Sequence, residues 1–256
     1  MRTIRKEQTA QTLSVTENAA RRLRGAIMFG EFQPGQKLIE AELCTDLGIS
    51  RASLREVLRS LEAERLVELV PNRGPSVVRL GFEEVAEIHD VWSLLTGEAV
   101  YRFACAATTA DVRKLERILL RAKRALRGKD IIAQINAINS FFWYVGEKCG
   151  NTVLVDFVHA LVSRLNYFRA QSLMREGLGD RWAREIEAIV HAVRTRDPKK
   201  ARRAATSHVA SVCDTVTRIA LSANRPPSPI GGKVARLRAP AMNKWSPALE
   251  RRRRPR

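Results

Sequence analysis

The chain of 256 residues has no uncharged apolar run near the roughly 18 residues that cross a bilayer, which excludes a helical membrane span. Its opening stretch, MRTIRKEQTAQTL, lacks the apolar centre of a secretory signal. Cysteine is scarce: Cys44, Cys105, Cys149 and Cys213 stand far apart, with the spacing of neither metal ligands nor a disulfide framework. A cytoplasmic location with reduced thiols is expected. Histidine is equally thin, since His89, His159, His191 and His208 fall on four separate predicted helices. There is no Gly-rich phosphate loop, no nucleophile elbow and no His-Glu-x-x-His, so no enzyme is expected. Cys105 and Cys213 lie on apolar helical stretches and read as core residues rather than nucleophiles.

What the chain has in excess is positive charge, a formal +18. Half of it sits in residues 225–256, RPPSPIGGKVARLRAPAMNKWSPALERRRRPR, which hold ten basic residues and one acidic one. Pro, Gly and Arg without apolar periodicity do not repay the entropy of ordering, so this tail is expected to be disordered. It is either a nonspecific polyanion contact acting through counterion release or a solvated appendage.

The remainder divides in texture near Leu80–Gly81, giving a flexible arm at 1–15, a first domain at 16–80 and a second at 81–224. In the first domain Thr16 caps a predicted helix from Glu17 to Phe29, and Gly30 stops it. Phe32-Gln33-Pro34-Gly35 is a turn. A second helix over Ile39–Leu47 ends at Gly48, and Ser50 caps a third over Arg51–Glu64. Leu43 and Leu47 face Leu54, Val57, Leu58 and Leu61, the spacing of a helix-turn-helix. Leu66–Leu69 and Pro75–Val78 flank Val70-Pro71-Asn72-Arg73-Gly74 and read as a hairpin, the wing of a winged helix.

The second domain shows only helical periodicity, over Phe82–Ala106, Thr109–Gly128, Asp130–Lys148, Thr152–Arg175, Asp180–Thr195 and Pro198–Ala223. The fold class is therefore mainly α: a winged helix-turn-helix followed by an all-α bundle. Such a bundle encloses ligand cavities between its helices.

Arg51, Ser53 and Arg55 fall in the first turns of the third helix, with Arg59 one turn further along the Arg51–Arg55 face. The hydroxyls of Ser50 and Ser53 suit phosphate, whereas a guanidinium pairs with a guanine edge and distinguishes bases. Arg55 is the leading base reader and Arg51 the second. The competing reading places each arginine merely on a solvated face.

These residues carry a resemblance. The stretch from Ala19 to Leu80 resembles the winged-helix domain of the GntR family of bacterial transcription regulators, through Gly30-Glu31-Phe32-Gln33-Pro34-Gly35, Leu47-Gly48-Ile49-Ser50-Arg51, Leu54-Arg55-Glu56-Val57-Leu58 and Pro71-Asn72-Arg73-Gly74. The resemblance implies DNA contacts from Arg51 and Arg55 and from a wing of Asn72, Arg73 and Gly74. Ala41 departs from it, standing where some relatives carry an arginine. The second domain is similar to the FCD effector-binding domain, in Glu98-Ala99 through Ala104-Cys105-Ala106, in Gly150-Asn151 and in Ala192-Val193 through Arg196-Asp197.

Many FCD domains hold a divalent metal on an Asp and three His. The matching positions here are Ile138, Phe142, Ile186 and His208, and only the last has a lone pair to offer. No metal or other cofactor is expected, and His208 reads as a hydrogen-bonded cavity or core residue. Leu94 replaces an arginine that often contacts carboxylates. Leu94, Ile138, Phe142 and Ile186 then line an apolar cavity, with Tyr101, Trp143 and Arg164 orienting an apolar or aromatic effector. A one-residue slip in the register brings Asn139 to the site in place of Ile138. The alternative is a bundle that has filled its cavity and only dimerises.

The resulting expectation is a sequence-specific transcriptional regulator, a repressor, acting as a homodimer on a pseudo-palindromic double-stranded operator and modulated by a small molecule. The alternative is a nonspecific or architectural DNA-binding protein that uses its basic tail.

Overall fold

A computed structural model describes residues 14–71, 73–175 and 177–222, with side chains as far as Ile219. The expected tail at 225–256 and most of the expected arm lie outside these residues. Helix α1 (Val15–Met28) starts on a reciprocal cap: Ser14 Oγ accepts from the Glu17 amide at 3.1 Å, and the Glu17 carboxylate accepts from the Ser14 amide at 2.8 Å. The cap is therefore Ser14 and not Thr16. From Thr16 the third helical position would be Ala19, which has no group to return the bond. Residues 14 and 15 accordingly belong to the helix rather than to an arm. At the other end Gly30, at φ +79°, turns the chain so that the Glu31 amide reaches back to the Ala26 carbonyl at 2.8 Å.

Helix α2 (Glu40–Leu47) closes on Gly48 in the left-handed region (φ 68°, ψ 38°), and α3 (Arg51–Ala63) begins three residues later from its cap, Ser50. The apolar faces of α2 and α3 share one core with Leu23 and Ile27 of α1. Arg24 locks α1 to the end of α3 through two bonds to the Glu64 carboxylate, at 2.6 and 2.5 Å. Strands β1 (Val67–Val70) and β2 (Gly74–Val77) pair antiparallel with Val67 opposite Val77. The segment 35–38 lies along the other side of β2: Gly35 donates to the Val77 carbonyl, Val77 to Gln36 and Leu38 to Pro75, at 2.8–2.9 Å.

Six further helices follow among the described residues: α4 (Phe82–Ala106), α5 (Thr109–Leu126), α6 (Ile131–Lys148), α7 (Thr152–Leu173), α8 (Leu178–Arg194) and α9 (Pro198–Ser222). Thr108, Asp130 and Asn151 cap α5, α6 and α7 through their side chains. Helices α4 and α8 pack on α9, α5 joins α6 to α8, and α7 lies against α4 and α6. Trp92, Phe103, Phe141 and Trp182 are fully buried in the resulting core. That core reaches the winged domain through Phe29 and Leu80, and Tyr167 of α7 meets the loop after α1. Among the described residues no helix is long and apolar enough to cross a membrane.

Candidate nucleic-acid interface and effector cavity

Helix α3 buries Leu54, Val57, Leu58 and Leu61 and leaves Arg51, Arg55 and Arg59 exposed at four-residue intervals, which places the three on one face. Among the described residues none of the three makes an ion pair. Ser50 Oγ accepts from the Ser53 amide at 3.1 Å and lies 3.0 Å from the Ser53 hydroxyl, so both hydroxyls sit at the α3 N-terminus. Arg73 is exposed at the tip of the wing, where its amide donates to the Val70 carbonyl at 3.0 Å. Gly74 follows at φ +77°, a conformation glycine adopts freely. Asn72 lies outside the described residues.

In the bundle a cavity of about 390 Å³ opens between α4, α5, α6 and α7. Its wall is mainly apolar, from Val100, Ile118, Phe142, Val155, Val158 and Val162, and Trp143 there stacks on His159 with centroids 4.5 Å apart. Thr96, Asn139 and Arg169 bring polar atoms to the same space. Arg169 is 1% exposed, and its Nη1 donates to Asn139 Oδ1 at 3.0 Å and to Asn166 Oδ1 at 2.7 Å. Burial alone pulls its pKa down to about 10. Burial likewise holds His89 and His208 below the ordinary histidine value, and the positive charge of Arg169 adds to the effect. His208 lies 2.8 Å from Glu185 through Nδ1, which donates because the carboxylate has no proton to give, and Nε2 keeps a bare lone pair without a partner among the described residues.

The structure redistributes the residues expected to line the effector site. Phe142 borders the cavity, as does Trp143. Ile138 and Ile186 are wholly buried in the core beside it and are not on its wall. Leu94 is 73% exposed: Trp92, Thr96, Ala99 and Val100 set the inward face of α4, and position 94 points away from it. Tyr101 also leaves the site, with the Arg202 guanidinium 4.1 Å over its ring. Arg164 pairs with Glu84 and borders a cleft beside Met28, Leu66 and Leu80, at the junction with the winged domain. His208 is buried, stacked on Phe142 at 5.5 Å and edge-on to Trp182, one layer behind the cavity wall.

Asn139, the residue a one-residue slip brings forward, is at the site and bonded to Arg169. Arg169 itself was not anticipated. The signal was its phase: it lies four residues after Leu165 and seven after Val162, on the buried stripe of α7. The donor set does not suit a divalent metal. Ile138, Phe142 and Ile186 have no ligand atoms, Glu185 occupies Nδ1 of His208, and among the described residues no three His, Cys, Asp or Glu side chains converge.

A three-helix head with a β-wing, joined to a helical bundle that encloses a partly polar cavity, defines a winged helix-turn-helix protein with an α-helical companion domain. Residues 15–77 match the family described as bacterial regulatory proteins, gntR family, and residues 87–211 match the FCD domain. The chain belongs to the GntR family of bacterial regulatory proteins, among the members that carry an FCD domain. It is 28% identical over 137 residues to an uncharacterized HTH-type transcriptional regulator, YdhC, of Bacillus subtilis, covering 54% of this chain and 58% of that protein. To the Uxu operon regulator of Haemophilus influenzae it is 29% identical, over 74% of this chain and 77% of the relative. The solved structure of E. coli McbR/YncC superposes with a TM-score of 0.70 at 19% identity, over 82% of this chain and 99% of that one, a likeness of fold.

Proposed function

We propose that the chain is a sequence-specific transcriptional repressor that binds a two-fold-related operator as a homodimer and answers to a small molecule held in the bundle. The observation that carries this reading is the exposed arginine face of α3, Arg51, Arg55 and Arg59, which makes no ion pair among the described residues and lies opposite a fully buried leucine and valine face. Arg55 and Arg51 read base edges in the major groove, Ser50 and Ser53 hold phosphates at the helix start, and Arg59 extends the backbone contact. Asn72, Arg73 and Gly74 of the wing contact the flanking backbone or the minor groove. Two copies related by a two-fold axis require a matching two-fold symmetry in the DNA. A ligand that binds one arrangement of the two heads more tightly shifts operator affinity by its differential affinity for the two states.

The test is a salt titration of binding to DNA upstream of the chain's own gene and to scrambled DNA, using the full chain and a 1–222 truncation. Retention of one preferred site by the truncation supports the repressor reading. A steep salt dependence without preference, lost on truncation, favours an architectural role for the basic tail.

A further inference from the structure

Helix α5 and the turn after it carry the whole charge excess of the bundle. Residues 109–129 hold eight basic and two acidic residues, whereas the rest of 81–224 holds fourteen of each. Val112, Leu115, Leu119, Ala122 and Leu126 are buried and set the inner face of the helix. Arg113, Arg117, Arg121 and Arg124 recur at steps of four, four and three on the opposite face, and all four are exposed. Among the described residues none of the four makes an ion pair. Two neighbouring cations are engaged: Lys123 pairs with Glu187 at 3.0 Å, and Lys114 lies 4.4 Å over the Tyr144 ring. Like charges at these steps repel, so a stripe of four along about 16 Å of helix is a cost that a polyanion relieves.

The composition of the stripe selects among polyanions. Arginine forks match the oxygens of phosphate. A protein partner takes its affinity from apolar or aromatic anchors at the centre of an interface, and the exposed large apolar side chain beside the stripe is Leu120 alone. A bilayer surface takes up the apolar face of a helix, and that of α5 is already spent on the core. The phosphates of duplex DNA fit best. The winged domain rests on α7, through Tyr167 and a cleft bordered by Ser163, Arg164 and Phe168, whereas α5 packs on α6 and α8. The stripe is thus carried by another side of the bundle from the one that holds the head.

We propose that the α5 stripe binds the phosphate backbone of a second segment of duplex DNA, without regard to sequence, so that a chain seated on one site through its head bridges that site to another. The proposal rests on reading the winged domain as the DNA-binding half. Each of the four arginines takes roughly one phosphate, and the contact carries no base preference because no group of the stripe enters a groove.

The experiment is a two-duplex capture. Upstream DNA is fixed to beads, the full chain is bound to it, and a labelled scrambled duplex is offered in solution over a range of salt. The loaded beads capture the second duplex. The triple variant Arg113→Gln, Arg117→Gln and Arg124→Gln melts as the wild type does and binds the bead DNA equally well. It captures at least about tenfold less second duplex at about 0.1 M salt, and its logarithmic salt slope for capture is smaller by about 3. Lysine at the same three positions restores most of the capture, since it keeps the charge. A charge-matched control at exposed positions of α9, Lys199→Gln, Lys200→Gln and Arg203→Gln, stays within about twofold of the wild type.

Four results each overturn the proposal. The loaded beads capture no second duplex, the α5 glutamine triple captures as much as the wild type, or the two charge-matched triples lose capture alike. In the fourth, poly-L-glutamate displaces the second duplex at lower charge concentration than unlabelled DNA does, which assigns the stripe to an acidic protein. Beads carrying scrambled DNA separate this site from the reading beneath it. Stripe-dependent capture on both beads without preference for the upstream DNA removes only the repressor, and a preferred site without stripe-dependent capture removes only the stripe.

Discussion

The hydroxyl of Tyr167 donates a 2.9 Å hydrogen bond to Oε1 of Gln33, joining α7 of the bundle to the turn between α1 and α2. Burial raises the Tyr167 pKa to about 12, so the phenol stays protonated and remains a donor. Two residues further along α7 stands Arg169. One helix therefore touches both the winged domain and the cavity. Tyr167→Phe removes this bond and leaves the packing of the ring intact. It lowers stability by about 0.5–1.5 kcal/mol and leaves operator preference in place. Urea denaturation and DNA titration of the same variant check both halves.

Gly48 makes the turn of the helix-turn-helix at φ 68°, and a Cβ there would meet nothing within 4 Å. The cost of substitution is thus backbone strain alone. Gly48→Ala destabilises the chain by about 1–2 kcal/mol, and Gly48→Asn by less, since asparagine tolerates the left-handed region. A shift of the urea midpoint at unchanged slope gives the measurement. Equal stability of the alanine variant and the wild type contradicts the assigned turn.

Three histidines are held neutral by burial: His159, pulled down to about 4, and His89 and His208, both lowered from 6.5. Between the folded and unfolded values only the unfolded chain is charged, so it binds more protons and stability falls as pH drops from about 6.5 toward 4. Above that window the histidine contribution is flat. Asp111 acts lower in pH. Bonds from Thr108 and Tyr144 hold its carboxyl below the carboxylate range, and its contribution is lost only as pH falls beneath about 4. Melting temperatures from about pH 8 to pH 4.5 decline on the acid side, and His159→Phe, which keeps a ring against Trp143, flattens part of that decline. A melt independent of pH across the window contradicts the burial of these rings.

Local signals made most of the fold legible. Gly48 and Ser50 mark the turn before α3 and its cap, and the helical period from Phe82 onward marks the bundle, because each depends on neighbours within a few residues. The strip at 35–38 was not legible, since its partners on β2 lie some forty residues away and four residues carry no alternation. At the cavity, the positions carried over from a family pattern put Leu94, Ile138 and Ile186 on a wall they do not line, and Tyr101 and Arg164, read as orienting groups, also fall elsewhere. Helical phase, which puts Trp92, Thr96 and Val100 inside α4, places Leu94 outside. Arg169 is the opposite case. A charge on a buried stripe breaks the hydrophobic pattern, and such breaks mark functional sites more often than faults.

The most direct test of the account is the affinity of the full chain and of Arg55→Ala for upstream DNA and for its scrambled counterpart at matched salt. The account predicts that the wild type prefers one two-fold-related site and that Arg55→Ala loses about 1–3 kcal/mol of that preference while its thermal melt is unchanged. Equal binding of both DNAs by the wild type, or full preference retained by Arg55→Ala, contradicts the reading of α3 as the sequence-reading helix.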